Sequence, residues 1–439
     1  MPCIPKNGRA KQIIPAIVRV TGALIICWGL AAQAQAAAIE PGQDMAPMAD
    51  VANPPAADTA APGQCPIGQT VDPAMKMCMT MHAKRKPAVM IRINQFLIYS
   101  ATSGPRGQQR VTGPGAWMLM IDKDLSPHNS LHVNVMGSLE QLTVGSIGTP
   151  QLLQTENIDA MHAHDTLMAV EFRDTIKFGA ANNQDLTLLF APRGGAAFGP
   201  VPFMHRDSAE GNPDSPLGHN MQDGFHDVSS VLGLAYRIGR TSLEATAFSG
   251  HAIRWPLPLH RVDSYAVRLT HQLDDHITLG GSYADVLSPN DAGGAEHEKF
   301  VAAWISSSHQ IGDFRVRSSL IWGQAKAAHS RPQNSFLAEA VVQRGANNLF
   351  GRAELLQVTP DQLLLVSVGN SGNPRWIGAV TLGYERALLE KGPFEFLAGG
   401  SVTKDFVPSA FDRDYGRRPG GVKVFLRMKV GGSSGMSAM

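Results

Sequence analysis

The feature that most constrains this chain is an alternation of apolar and polar residues with period two, recurring from residue 88 to residue 430. In 313–323, Phe314, Val316, Leu320 and Trp322 share one face, while Arg315, Arg317 and Ser319 share the other. In 421–430, Val422, Val424, Leu426, Met428 and Val430 oppose Lys423, Phe425, Arg427 and Lys429. In 374–387, Trp376, Val380, Leu382 and Tyr384 oppose Arg375, Thr381 and Glu385. Successive side chains of a strand point to opposite faces, so these segments read as strands with one apolar face. A soluble sandwich gives the same alternation, and the connections decide between the two.

Short turns at 238–240, 273–275, 312–313, 345–347 and 390–392 alternate with longer Pro-, Gly- and Asp-rich connections at 251–261, 287–296, 325–334, 359–374 and 405–419. One end of the strand array therefore carries tight turns and the other carries loops, which is the asymmetry of an outer-membrane barrel. Eleven strands follow residue 226, and five more fit near 88–100, 113–122, 130–142, 166–176 and 184–192. The expected fold is all-β: a closed antiparallel transmembrane β-barrel of about 16 strands, range roughly 14–18, with short periplasmic turns, long extracellular loops and both termini in the periplasm.

Composition agrees. Among 439 residues, 44 Gly and 29 Pro disfavour long helices, and charged residues make up only 17%, against roughly 25% in soluble domains. The 38 Lys and Arg nearly balance 37 Asp and Glu, so no basic field points to nucleic acid. Mean hydropathy is −0.08, and no apolar run apart from one short N-terminal stretch approaches the ~20 residues of a membrane-spanning helix.

That stretch sets the compartment. Lys6, Arg9, Lys11 and Arg19 precede the apolar segment 21–32, followed by Ala32-Gln33-Ala34 and Ala34-Gln35-Ala36. This is the layout of a secretory signal peptide over residues 1–36. Residues 37–87, rich in Ala, Pro, Met and Gly, are expected to form a flexible periplasmic segment, 88–430 the barrel, and 431–439 a C-terminal tail. The exported chain keeps Cys65 and Cys78, a pair for which a disulfide is the default in an oxidising compartment. Around Cys78 lie Met75, Met77, Met79, Met81 and His82, with Met45 and Met48 upstream. Thioether, thiolate and imidazole donors suit Cu(I); the alternative is chance Met enrichment beside a small cysteine loop.

Two histidine clusters fall on the loop side. His162, His164 and Asp165 precede the fourth strand. His205, His219, Asp223 and His226 belong to a connection, 193–225, that runs on to His226 at the start of the next strand. A loop that long tends to be functional or to fold into the lumen. Imidazoles with carboxylates suit Cu(II) or Zn(II), and the alternative is a hydrogen-bonded polar plug. The closing strand ends in a Gly/Ser/Met tail, not on an aromatic residue, so an assembly signal is expected internally, around Val424-Phe425-Leu426-Arg427.

These residues also carry a resemblance. The chain resembles a family of uncharacterised proteobacterial outer-membrane proteins often met near copper-handling genes. In that family a Leu-Leu-Gln-Thr stretch precedes His-Pro-His-Asp, and Phe-Met-His-Arg leads to Pro-Leu-Gly-His-His and Asp-x-x-His. Leu152–Thr155, His162/His164/Asp165, Phe203–Arg206, Pro216–His219 and Asp223/His226 match, as do Ser103–Gly107 and Val424–Arg427. The resemblance spans roughly residues 90–430; Ala163 replaces the Pro, and Asn220 replaces the second His of the pair. It implies barrel and compartment, and no known activity.

No P-loop or HExxH sequence is present, and the Gly-x-Ser-x-Gly match at Gly431-Gly432-Ser433-Ser434-Gly435 falls in the Gly/Ser tail rather than between a strand and a helix. No enzymatic activity is therefore expected, although a Ser/His/Asp set assembled from the long loops is the remaining enzymatic alternative. The expected function is a barrel that passes or binds a small solute, copper among the candidates, in contact with outer-membrane lipid and lipopolysaccharide and inserted by the barrel-assembly machinery. The competing reading is a structural or adhesive barrel with an occluded lumen. Glu244, Arg268, Arg315, Arg317, Arg352, Glu354, Glu385, Lys423 and Arg427 face that lumen, with both signs of charge.

Overall fold

Among the described residues, every barrel strand hydrogen-bonds to its neighbour in sequence and the last returns to the first, so the barrel sheet has no open edge. The computed structural model describes residues 87–431 apart from 180–182, 251–258, 290–294, 366–367 and 369–371, together with 69–71 and 78–80. The expected signal peptide over 1–36, most of 37–87 (Cys65, Met75, Met77, Met81 and His82 included) and the tail after 431 lie outside the described residues. Before the barrel, Gln69–Val71 pairs antiparallel with Cys78–Thr80, setting Cys78 opposite Val71.

Sixteen antiparallel strands close the barrel. They are β1 Ala88–Thr102, β2 in two pieces Gln109–Thr112 and Gly115–Ser126, β3 Asn129–Gly137, β4 Ala169–Phe178, β5 Gln184–Gly194, β6 Val228–Ile238, β7 Thr241–Ser249 and β8 Ser264–Gln272. β9 Ile277–Pro289, β10 Ala295–Ile311, β11 Phe314–Ala327, β12 Gln333–Arg344, β13 Asn347–Val358, β14 Arg375–Lys391, β15 Phe394–Phe406 and β16 Gly420–Val430 complete it. β16 lies against β1 from Gly421↔Thr102 to Val430↔Ile93, so the barrel begins and ends at the same rim, the one with the short turns.

The strand boundaries depart from the sequence reading by a few residues, as at β4, expected at 166–176 and found at Ala169–Phe178, and more tellingly where a physical cause is visible. β2 starts at Gln109, earlier than expected, and breaks at Gly113–Pro114, because Pro114 has no N–H to give the ladder. The Gln95 side chain covers the break, donating from Nε2 to the carbonyls of Gly113 (2.7 Å) and Pro114 (3.1 Å). β3 stops at Gly137, not 142, because the chain then turns inward and Glu140 accepts the backbone N–H groups of Gly115 (2.8 Å) and His164 (2.7 Å). The connections expected at 287–296 and 325–334 shrink to 290–294 and 328–332, since β9, β10 and β11 continue pairing past the Pro/Gly signals, as far as Pro289↔Ala295.

The inside–outside assignment holds. Phe314, Leu320, Leu382, Tyr384, Val422, Val424 and Leu426 are exposed on the outer wall, whereas Arg317, Thr381, Glu385, Lys423 and Arg427 are buried within. Phe425 also points inward, where it meets Phe96 edge-on at 5.4 Å. The aromatic of the expected internal assembly signal is therefore inside, and Val424 and Leu426 form the outer face of that segment.

Candidate functional site

The lumen is filled by the chain itself. Loop 195–227 folds inward and fastens to the wall formed by β11–β16. Arg206 is at its centre, its Nε donating to Glu339 Oε1 (2.6 Å) and Nη1 to Asp223 Oδ2 (2.6 Å). Glu339 is shared: Ser208 donates to it (2.9 Å), as does Arg352 Nε (3.0 Å), while Arg352 Nη1 reaches the Asp214 carbonyl (2.6 Å). Lys423 pairs with Asp214, Arg317 with Glu210, and Lys429 with Glu210 (2.7 Å). Glu354 accepts the Leu217 N–H at 2.6 Å, and Arg427 pairs with Glu385 at 2.9 Å. The charges that the sequence places on the inner wall thus find partners, several of them on the loop. Glu244 and Arg268 pair with each other at 2.7 Å.

Toward the strands β6–β10 the same loop packs through apolar side chains. Phe198 and Phe225 meet at 5.1 Å, and Phe225 stands edge-on to Phe300 at 4.8 Å, beside buried Phe248 and Met221. Small residues on the facing wall, Ala266, Ala284 and Ala302, leave room for these rings. Gly199 has φ +69, and a Cβ there would run into the Gln222 carbonyl oxygen, so the loop doubles back on itself only with glycine at that point.

Loop 138–168 is the second half of the plug. Gln151 and Gln154 donate to the Ser215 carbonyl and hydroxyl, each at 2.8 Å, tying it to the first loop. Asp159 accepts from Tyr415 (2.9 Å) and pairs with Arg106 (2.7 Å), while Arg106 also reaches the Leu363 carbonyl (2.8 Å). Four loops interlock there. This explains Ser103–Gly107: Gly104 has φ +92, and a Cβ on it would strike the Tyr415 carbonyl.

The two histidine clusters meet where these loops touch. Ring centroids step from His162 to His164 at 5.1 Å, from His164 to His226 at 5.9 Å, and from His226 to His219 at 4.9 Å. Each imidazole has an acceptor beside Nδ1: Glu156 Oε2 at 2.7 Å from His162, Glu140 Oε2 at 2.8 Å from His164, Asp223 Oδ1 at 2.5 Å from His219, and the Asp223 carbonyl at 3.4 Å from His226. His164 and His219 are buried, while the His162 side chain is 42% exposed at the end of the row. Asp165 turns away to Arg193, at 2.6 Å, and Arg193 is also held by Asp227. His205 stands apart from the row, with Nε2 3.2 Å from Met136 Sδ. Among the described residues, no three His, Cys, Asp or Glu donors already converge as a metal-binding group.

The electrostatics alternate along the row. Burial opposes the ionised Glu156, yet contact with His162 and the nearby charges of His219 and His226 outweigh it and hold its carboxyl down to about 2. Burial opposes charge on His219 too, but Asp223 prevails and raises its affinity for a proton. His226 is held well below the usual imidazole range by burial and by the charges of His219 and His164. Burial pushes His205 down to about 4.

Beneath the plug a chamber of about 320 Å³ runs to the turn-side rim at Gly392, Pro393 and Gly431. Its walls mix Phe96, Met118 and Met204 with Arg92, Glu210 and Arg315.

Glu140, Glu156 and Asp214, which anchor the cluster and the plug, were not singled out by sequence reasoning. They are isolated acids in long loops, without a spacing pattern; their only signal is membership of the loops that carry the histidines.

A closed sixteen-strand barrel with loops folded into its lumen defines an architecture of porin type, and the comparisons agree. The fold is similar to an anion-selective porin from Comamonas acidovorans, at 10% identity and TM-score 0.50 over 78% of this chain and 100% of that one. It is equally similar to Salmonella typhi OmpF in complex with daunomycin, at 7% identity and TM-score 0.50 over 78% and 97%. A loop-deletion mutant of OmpT from Vibrio cholerae aligns at 9% identity and TM-score 0.48 over 78% and 99%. Identity this low speaks to the fold alone. No protein-family model matches the sequence, and no curated protein matches it significantly.

Proposed function

We propose that this protein is an outer-membrane channel of porin type whose lumen is held closed by its own loops, with both termini in the periplasm. The observation that carries this reading is the chamber of about 320 Å³ that the barrel keeps inside, running to its turn-side rim. The Arg206–Asp223–Glu339 cluster fastens loop 195–227 to the inner wall through buried charges and holds the lumen closed. Aliphatic and aromatic side chains cover the outer wall, including Leu188, Phe190, Leu234, Leu269, Leu349 and Leu426, as lipid contact requires. Such a barrel inserts through the assembly machinery and meets lipopolysaccharide at its outer rim. The chamber below the plug supplies a resting place for a small solute, its size being at the lower end of ligand pockets. The strongest support for the competing reading, a permanently occluded structural barrel, is the number of ion pairs that hold the plug.

Planar-bilayer recording separates the two. The wild-type barrel should be mostly closed, with rare openings, and the Arg206→Ala/Lys423→Ala double variant should conduct in long-lived steps. A variant that migrates as a folded barrel, exposes loop 195–227 to protease and still conducts no more than wild type overturns the channel reading.

A further inference from the structure

We propose that His162, His164, His219 and His226 form a binding site for a borderline divalent transition-metal ion, Zn²⁺ or Cu²⁺, that clamps the two halves of the plug together. The inference goes beyond the channel reading and does not rest on it, because the cluster belongs to the loops whether or not the lumen conducts.

Three observations carry it. The four rings come from two loops, with His162 and His164 more than fifty residues from His219 and His226 in sequence, yet successive centroids lie 4.9–5.9 Å apart. Imidazoles sharing one ion at the Zn–N distance of about 2.0–2.1 Å must each lie about this close to every other one. The row meets that spacing for its three successive pairs, so its end rings, His162 and His219, must swing inward. Next, every Nδ1 has an oxygen beside it, three of them carboxylate oxygens at 2.5–2.8 Å. A metal-ligating histidine almost always gives its other ring N–H to a carboxylate or carbonyl, which fixes the tautomer and leaves Nε2 as the ligand atom. His164 and His219 already have that outer layer, while His162 Nδ1 lies 2.7 Å from Glu156 without hydrogen-bond geometry and must turn to complete it. Finally, Glu140 and Glu156 each lie against a histidine and bring negative charge to the group, which offsets the cost of holding a dication away from water; the charge of Asp223 is shared with Arg206.

The donors do not yet converge on one point, so binding requires the rings to turn about their side-chain torsions while keeping these acceptors. His162, exposed at the end of the row, is the entry side. Asn220, where the resembling family has a second histidine, is exposed beside buried His219. A histidine at 220 would face away from the row, so the substitution removes no ligand from this site.

The test is zinc titration of the refolded full-length barrel in detergent against a chromophoric zinc chelator. Wild type should take up one Zn²⁺ per chain, and His162→Ala/His219→Ala should lose that uptake while keeping heat-modifiable migration. Glu156→Gln, which keeps all four imidazoles, should weaken binding by about tenfold or more. A full-length Cys78→Ser/His82→Ala variant should bind as wild type does, and X-ray absorption should show nitrogen neighbours near 2.0 Å. No uptake by the wild type, uptake unchanged in the loop double variant, loss of uptake in the Cys78/His82 variant, or sulfur in the zinc shell would each overturn the proposal.

Discussion

At the scale of single residues, burial decides which charges matter. Arg206 and both of its carboxylate partners are buried, so Arg206→Ala leaves Asp223 supported by His219 and Glu339 by Arg352, without the cation between them. Breaking such a buried arrangement costs about 3–5 kcal/mol. Arg268 and Glu244 are each about one-fifth exposed, and Arg268→Ala should cost under about 1 kcal/mol. Limited proteolysis of loop 195–227 across a urea gradient measures both: a shift for Arg206→Ala no larger than for Arg268→Ala would contradict the plug energetics. His205 sets a pH dependence. Held down to about 4 in the folded plug, it stays neutral where an unfolded histidine has gained a proton, near 6.5. The unfolded loop then binds more protons, so His205 stabilises the plug above about pH 6.5 and loses this effect as the pH falls toward 4. Glu171, Arg92 and His164 are the charges that act on it. Loop protection in His205→Gln should therefore decline less steeply between pH 6.5 and 4.5 than in wild type; equal slopes would rule His205 out as the source.

At the scale of elements, the strands were legible in the sequence because lipid and lumen impose opposite demands on alternate residues. β11 reads correctly from Phe314 to Trp322 with no knowledge of its neighbours. Strand ends are less legible, because Pro and Gly at 287–296 and Pro332 within 325–334 signal turns that continued strand pairing partly overrides. The plug was legible only in outline: both histidine clusters fall on the loop side, so they had the opportunity to meet. Which acids hold them is a matter of tertiary contact, and Glu140 meets His164 across 24 residues without any local pattern. β11 also offers the sharpest test of wall and plug together. Leu320 is outside at mid-strand, 40% exposed, while Arg317 is inside and bound to Glu210 of the plug. Leu320→Arg should cost about 2–4 kcal/mol of folding in bilayer, read as lost heat-modifiable migration and reduced assembly. Arg317→Ala should assemble normally and loosen the plug instead, raising protease access to loop 195–227. If both variants assemble equally well, the face assignment of this strand is wrong.

At the scale of the whole molecule, an even number of antiparallel strands sets both ends of the barrel on one rim, beside Gly312, Gly345 and Gly392, each of which makes a tight turn at positive φ. The plug loops and the Arg106–Asp159–Tyr415 lock crowd the opposite end. Short turns on the periplasmic side and long loops outside are the rule for such barrels, and the chamber, which reaches the turn rim, would then open inward to the periplasm. This orientation gives the last prediction. Ser330, exposed between β11 and β12 on the loop side, should react as a cysteine with a membrane-impermeant maleimide on intact cells. Asn347, at the first position of β13 beside the Gly345 turn, should react only after the outer membrane is permeabilised. Labelling of each variant after permeabilisation gives its assembled total, so unequal assembly does not account for a difference between them. The reverse pattern would place the plug on the periplasmic side and turn the chamber's mouth toward the medium.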